Sequence, residues 1–82
     1  MNLDVKLFAT LKDKAQTSRL ALELKQEQPR VQDLLAEIVV QKPVLESSMK
    51  SVLVAVNKEF AFPEQILAPD DDIALFPPVS GG

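Results

Sequence analysis

One stretch of this chain has the spacing of an amphipathic helix, and the sequence on either side of it alternates. Val31, Leu34, Leu35, Ile38 and Val39 fall at i, i+3, i+4, i+7 and i+8, one face of an α-helix, with Gln32, Asp33, Glu37 and Gln41 opposite. Pro29 suits the first helical turn, and Pro43 disfavours continuation through Lys42. No Ser, Thr, Asp or Asn stands at the capping position, so the first turn is expected to fray. One such helix covers one face of one small sheet.

Before the helix, Leu3, Val5 and Leu7 alternate with Asn2, Asp4 and Lys6, the pattern of a half-buried strand. Thr10 with Asp13 reads as an imperfect capping box, leading into a short helix or irregular connection over 11–16. Leu20, Leu22 and Leu24 mark a second strand. After the helix, 44–49 predicts one more helical turn, and 51–57 is β-branched and apolar on both faces, as in a central strand. Asn57-Lys58-Glu59 is a polar turn, Phe60-Ala61-Phe62 a brief edge segment that Pro63 ends, and 64–69 a connection. A last strand over 73–76 stops at Pro77-Pro78, neither of which can donate to a ladder.

The first and last strands are both apolar enough to lie side by side mid-sheet. The expected fold is therefore α+β, a β-grasp (ubiquitin-like) mixed sheet packed on one main helix. Residues 1–76 form the domain and 77–82 a free, extended C-terminal tail.

Composition removes most chemistry. The chain of 82 residues has no Cys and no His, which excludes a disulfide framework, a thiolate zinc site, a cysteine nucleophile and the commonest general base. It has no Trp or Tyr and only four Phe, and its net charge is -3, all of which argue against nucleic acid as a partner. The longest apolar run, 52–56, is too short to cross a bilayer, and the first eight residues do not resemble an export signal. A cytoplasmic location and no membrane partner are expected. A self-contained enzyme is the least favoured class.

The tail carries the strongest functional signal. Both glycines of the chain are its last two residues, Gly81 and Gly82. Pro77-Pro78 favours a stiff extended exit from the sheet, and two residues without Cβ pass through a channel too narrow for most others. What arrives at the far end is the Gly82 carboxylate, the most credible group here for covalent chemistry once it is adenylated. The competing reading is a frayed terminus or a cloning scar. Two rings break their strand patterns: Phe8 falls on the face of Lys6, and Phe76 on the face opposite Ile73 and Leu75. With Phe60 as a third member they predict an apolar partner surface at the base of the tail, against the alternative that they are core.

Other features are weaker. Asp70-Asp71-Asp72 reads as a solvated turn rather than a metal site, and no metal is expected. Lys12, Lys14 and Arg19 read as a solvated face, Met49 as a gap-filling core residue. With no internal glycine, no glycine-rich phosphate loop can form.

The ending Phe76-Pro77-Pro78-Val79-Ser80-Gly81-Gly82 closely resembles the MoaD family, the small sulfur-carrier subunits of molybdopterin synthase. The opening Val5-Lys6-Leu7-Phe8-Ala9, the mid-chain Ala55-Val56-Asn57 and the acidic Asp71-Asp72 carry the same likeness, while 41–50 departs from it. The resemblance implies that a ubiquitin-activating-like enzyme of MoeB type uses ATP to adenylate Gly82, and that a persulfide-derived sulfur then leaves a thiocarboxylate. It further implies that the tail, Pro77 through Gly81 leading, inserts into a large subunit of MoaE type. There, sulfur reaches cyclic pyranopterin monophosphate and builds the molybdopterin dithiolene. By the same resemblance Phe8, Phe60 and Phe76 meet partners, the chain binds no cofactor itself, and two small and two large subunits form a heterotetramer. The chain would be a sulfur-donating subunit without its own catalytic centre. A carrier for thiamine thiazole or tRNA thiolation, or a ubiquitin-like modifier of lysines, shares the fold and the Gly-Gly end.

Overall fold

The computed structural model describes residues 1–78. Within them the elements run β1 (Asn2–Leu7), α1 (Ala9–Ala15), β2 (Arg19–Glu23), α2 (Val31–Gln41), β3 (Leu53–Val56), β4 (Glu59–Phe60) and β5 (Ile73–Phe76), with two 3-10 turns, Pro43–Leu45 and Ser48–Lys50. The five strands form one sheet in the order β2-β1-β5-β3-β4. β1 and β5 pair in parallel and every other pair is antiparallel. This is the β-grasp arrangement, with the first and last strands adjacent at its middle.

Alternation decides which side of the sheet is dry. Leu3, Val5 and Leu7 of β1, Leu20 and Leu22 of β2, Val54 and Val56 of β3, and Ile73 and Leu75 of β5 all point to one face and are buried. Val31, Leu34 and Ile38 of α2 cover that face, helped by Leu11 and Ala15 of α1 and by Leu24, Leu45 and Leu67. Met49 packs partly buried against the same cluster, as its sequence context predicts. On the other face no strand residue is buried. A domain this small has only about 4–12 kcal/mol of stability. Truncating the fully buried Ile38 to Ala is expected to remove about 2–5 kcal/mol of it, by lost transfer energy and the cavity left behind. Urea unfolding checks this, and a midpoint unchanged from the parent would show that α2 does not anchor the core.

Three local expectations need correction. The first turn of α2 does not fray: Val31 N–H donates to Gln65 C=O at 2.9 Å and Gln32 N–H to Pro63 C=O at 3.0 Å. The Asp33 carboxylate also accepts from Arg30 N–H at 2.8 Å. The helix start is thus capped by a distant segment and by its own third residue, which a rule for the capping residue alone does not detect. Thr10 is not a cap, because it lies inside α1 and Phe8 holds the capping position without a side-chain bond. Finally, β3 is interior but not central, since only the two-residue β4 lies beyond it. Its second apolar side, Leu53 and Ala55, belongs to the open face and stays half-buried.

Candidate docking face and reactive tail

Register places the candidate rings. Val5 pairs with Ile73, Lys6 with Ala74 and Leu7 with Leu75, so the next step along both strands brings Phe8 beside Phe76 on the open face. Their rings stack with centroids 4.8 Å apart and planes 9° from parallel. Such a pair contributes about 0.5–1.5 kcal/mol beyond area burial.

A backbone device keeps Phe8 there. Its N–H still bonds Leu75 C=O at 3.2 Å, which extends the ladder by one residue. Ala9 then takes φ 53°, the left-handed region, and turns the chain at once into α1, whose Leu11 drops into the core. Holding a non-glycine residue in that region costs about 1–2 kcal/mol. The result is a ring 41% exposed at the end of a central strand.

Phe60 shares this face without touching that pair in register. Ala55 pairs with Phe60 on one side and Ala74 on the other, so Phe60, Ala55 and Ala74 form one row. Leu53 lies opposite Phe76 in the next row. The small alanines leave a shallow apolar strip between the stacked pair and Phe60, whose ring is 74% exposed. The three phenylalanines are therefore face residues rather than core. Beyond Phe76, Pro77 is half-buried and Pro78 exposed, while Val79, Ser80, Gly81 and Gly82 lie outside the described residues.

The acidic run is structural. The Asp71 carboxylate accepts from Ala68 N–H at 2.7 Å and from Asn57 Nδ2 at 2.9 Å. Asn57 Oδ1 accepts from Asp72 N–H at 2.9 Å, and Asn57 N–H donates to Asp72 C=O at 2.7 Å. Asn57 and Lys58 both have positive φ and close a two-residue hairpin between β3 and β4, a turn type in which Asn is favoured. This clasp ties the β3–β4 turn to the start of β5, and so helps set the register that carries Phe76. Asp72 also pairs with Lys6 Nζ at 3.4 Å across the open face. Among the described residues no group of three or more Cys, His, Asp or Glu gathers to hold a metal. The clasp predicts that Asn57→Ala costs about 1–3 kcal/mol in thermal unfolding, by orphaning the Asp71 carboxylate and Asp72 N–H at an unfavourable turn position. Unchanged stability would remove the clasp from this account.

The basic trio divides. Lys14 Nζ turns away to Ser48 Oγ at 3.2 Å. Lys12 and Arg19 instead gather with Lys6 beside Phe8. Sequence periodicity had no access to this, because Lys6 and Arg19 become neighbours only through the pairing of β1 with β2.

No helix among the described residues is long and apolar enough to cross a membrane. The sequence model of the ThiS family matches residues 5–82. The molybdopterin synthase sulfur carrier subunit of Chlamydomonas reinhardtii is 34% identical over 84 aligned positions, covering all of both chains. The protein of the same name from Arabidopsis thaliana is 30% identical and spans 100% of this chain and 84% of its own. Among solved structures, SAMP1 from Haloferax volcanii superposes with a TM-score of 0.88 at 32% identity, with full coverage of both chains.

Proposed function

The chain belongs to the ThiS family, and from that premise we propose that it is the sulfur carrier subunit of a molybdopterin synthase. Full-length similarity to two proteins of that name supports the reading. The single observation that carries it is the stacked Phe8–Phe76 pair on an uncovered sheet face, with Phe76 the last ladder residue before the tail.

The chemistry divides between proteins. An activating enzyme of MoeB type binds the open face and receives the tail. The Gly82 carboxylate attacks the α-phosphorus of ATP, pyrophosphate leaves, and the acyl-adenylate makes the carbonyl carbon electrophilic. A persulfide-derived sulfur displaces AMP, leaving a thiocarboxylate. The carrier then docks on a large subunit of MoaE type, and Gly81 and Gly82 reach its active site through a passage that side chains would block. Sulfur passes to cyclic pyranopterin monophosphate, and two deliveries complete the dithiolene. The carrier supplies a docking face, a stiff Pro77-Pro78 exit and a terminal carboxylate; the catalytic groups belong to its partners. This division of labour fits a chain without Cys or His. Assembly as two small and two large subunits in the cytoplasm completes the proposal.

Reconstitution with the large subunit and pyranopterin substrate tests it. Molybdopterin formation that requires the sulfurated carrier is the expected result. Lysine-linked adducts without sulfur release would identify a protein modifier instead, and product formation only with a thiazole or tRNA acceptor would identify another sulfur pathway.

A further inference from the structure

A second surface adjoins the apolar strip. A shallow cleft of about 230 Å³ is lined by Lys6, Phe8, Lys12, Ser18 and Arg19. Lys6 and Arg19 are cross-strand partners on β1 and β2, which puts both on the open face, and Lys12 comes from α1. Phe8 is the wall between this cleft and the stacked pair. Of the three cations, only Lys6 forms an ion pair among the described residues.

The sign of the charge is unusual for its surroundings. The chain as a whole carries -3. At the far end of the same sheet face, Asp4 lies opposite Ala21 and Glu23 opposite Asn2, beside Asp70 and Asp71 in a separate acidic concavity. The open face is therefore polarised, with cations confined to the end from which the tail leaves.

We infer that this cleft seats an Asp or Glu side chain presented by the protein partner that docks on the Phe8–Phe76 strip. The inference rests on the docking reading above and adds to it the chemistry of the partner's rim. An apolar centre bordered by charge is the layout of a protein interface, in which the rim governs encounter rate and orientation more than affinity. An extended polyanion does not suit the same surface, because it would run from the cationic end onto Asp4 and Glu23. The cleft also gives a carrier of net negative charge a local means of attracting an acidic partner in one orientation, tail first.

Stopped-flow association of the intact carrier with its cognate large subunit, across a salt series, tests this. The variants are Lys12→Glu/Arg19→Glu, the milder Lys12→Gln/Arg19→Gln, and Phe76→Asp. The charge-reversed double variant should associate about ten-fold more slowly at low ionic strength, with a flattened salt dependence and a nearly unchanged dissociation rate. The Gln pair should fall between it and the parent. Matching thermal melts establish that these exposed changes leave the fold intact. Association as fast as the parent's at low salt, or a slowing that is independent of salt, overturns the inference even if Phe76→Asp abolishes binding. Conversely, if Phe76→Asp binds normally while charge reversal slows association, the apolar docking reading falls and the acidic contact stands.

Discussion

Removal of Gly82 is expected to abolish sulfur transfer completely while leaving the thermal unfolding curve within error of the parent. The two halves of this result come from different parts of the molecule. Every residue of the described hydrophobic core lies between Leu3 and Leu75, and the ladder ends at Phe76. Stability accordingly has no stake in the last residue. Transfer depends on it, because adenylation needs a carboxylate at a set distance from the docking face. Shortening the chain by one residue withdraws the reacting carbon by about 3.5 Å. A misplacement of even about 1 Å can cost a hundred-fold in rate. Sulfur transfer retained by the shortened chain, measured as molybdopterin formed in the reconstituted system, would sink the terminal-carboxylate mechanism.

The second large effect is expected for Phe76→Asp. The ring is half-buried on an uncovered face, stacked on Phe8 and opposite Leu53. A carboxylate there keeps access to water, so folding should lose only about 1–2 kcal/mol, mostly the stacking and the ring's partial burial. A partner that covers this strip would instead have to desolvate the new charge. Central aromatic anchors of interfaces cost at least about 2 kcal/mol when lost, so Kd for the large subunit should rise at least about thirty-fold. Calorimetric titration and a thermal melt on the same sample separate the two contributions. An unfolded variant would make Phe76 a core residue. A folded one that binds normally would move the docking surface elsewhere.

Much of this was legible in the residues because burial and period are coupled. The spacing of Val31, Leu34 and Ile38 is enough to announce a core helix, and the two-residue period of Leu3, Val5 and Leu7 is enough to assign faces. The functional rings stood out for the same reason in reverse: Phe8 and Phe76 are large and apolar at positions where the period calls for polar side chains. The clasp was hidden, since Asn57 and Asp71 lie fourteen positions apart in the chain, and no local rule connects a turn asparagine to a later carboxylate. The capping of α2 by the carbonyls of Pro63 and Gln65 was hidden likewise. The left-handed Ala9 had no signal at all, because alanine has no preference for that conformation. The cationic cleft needed the β1–β2 register, which places Lys6 beside Arg19 and leaves Lys14 outside.

Seen together, the fold positions two things relative to one another: an aromatic strip that a partner can cover, and a strand that hands its tail to that partner. Incubating the chain with ATP, an activating enzyme of MoeB type and a sulfur donor, followed by intact and fragment mass spectrometry, tests the central claim most directly. The account predicts a mass gain equal to the difference between sulfur and oxygen, localised to Gly82. An unmodified terminus in a reaction where the same activating enzyme demonstrably charges another carrier would contradict it.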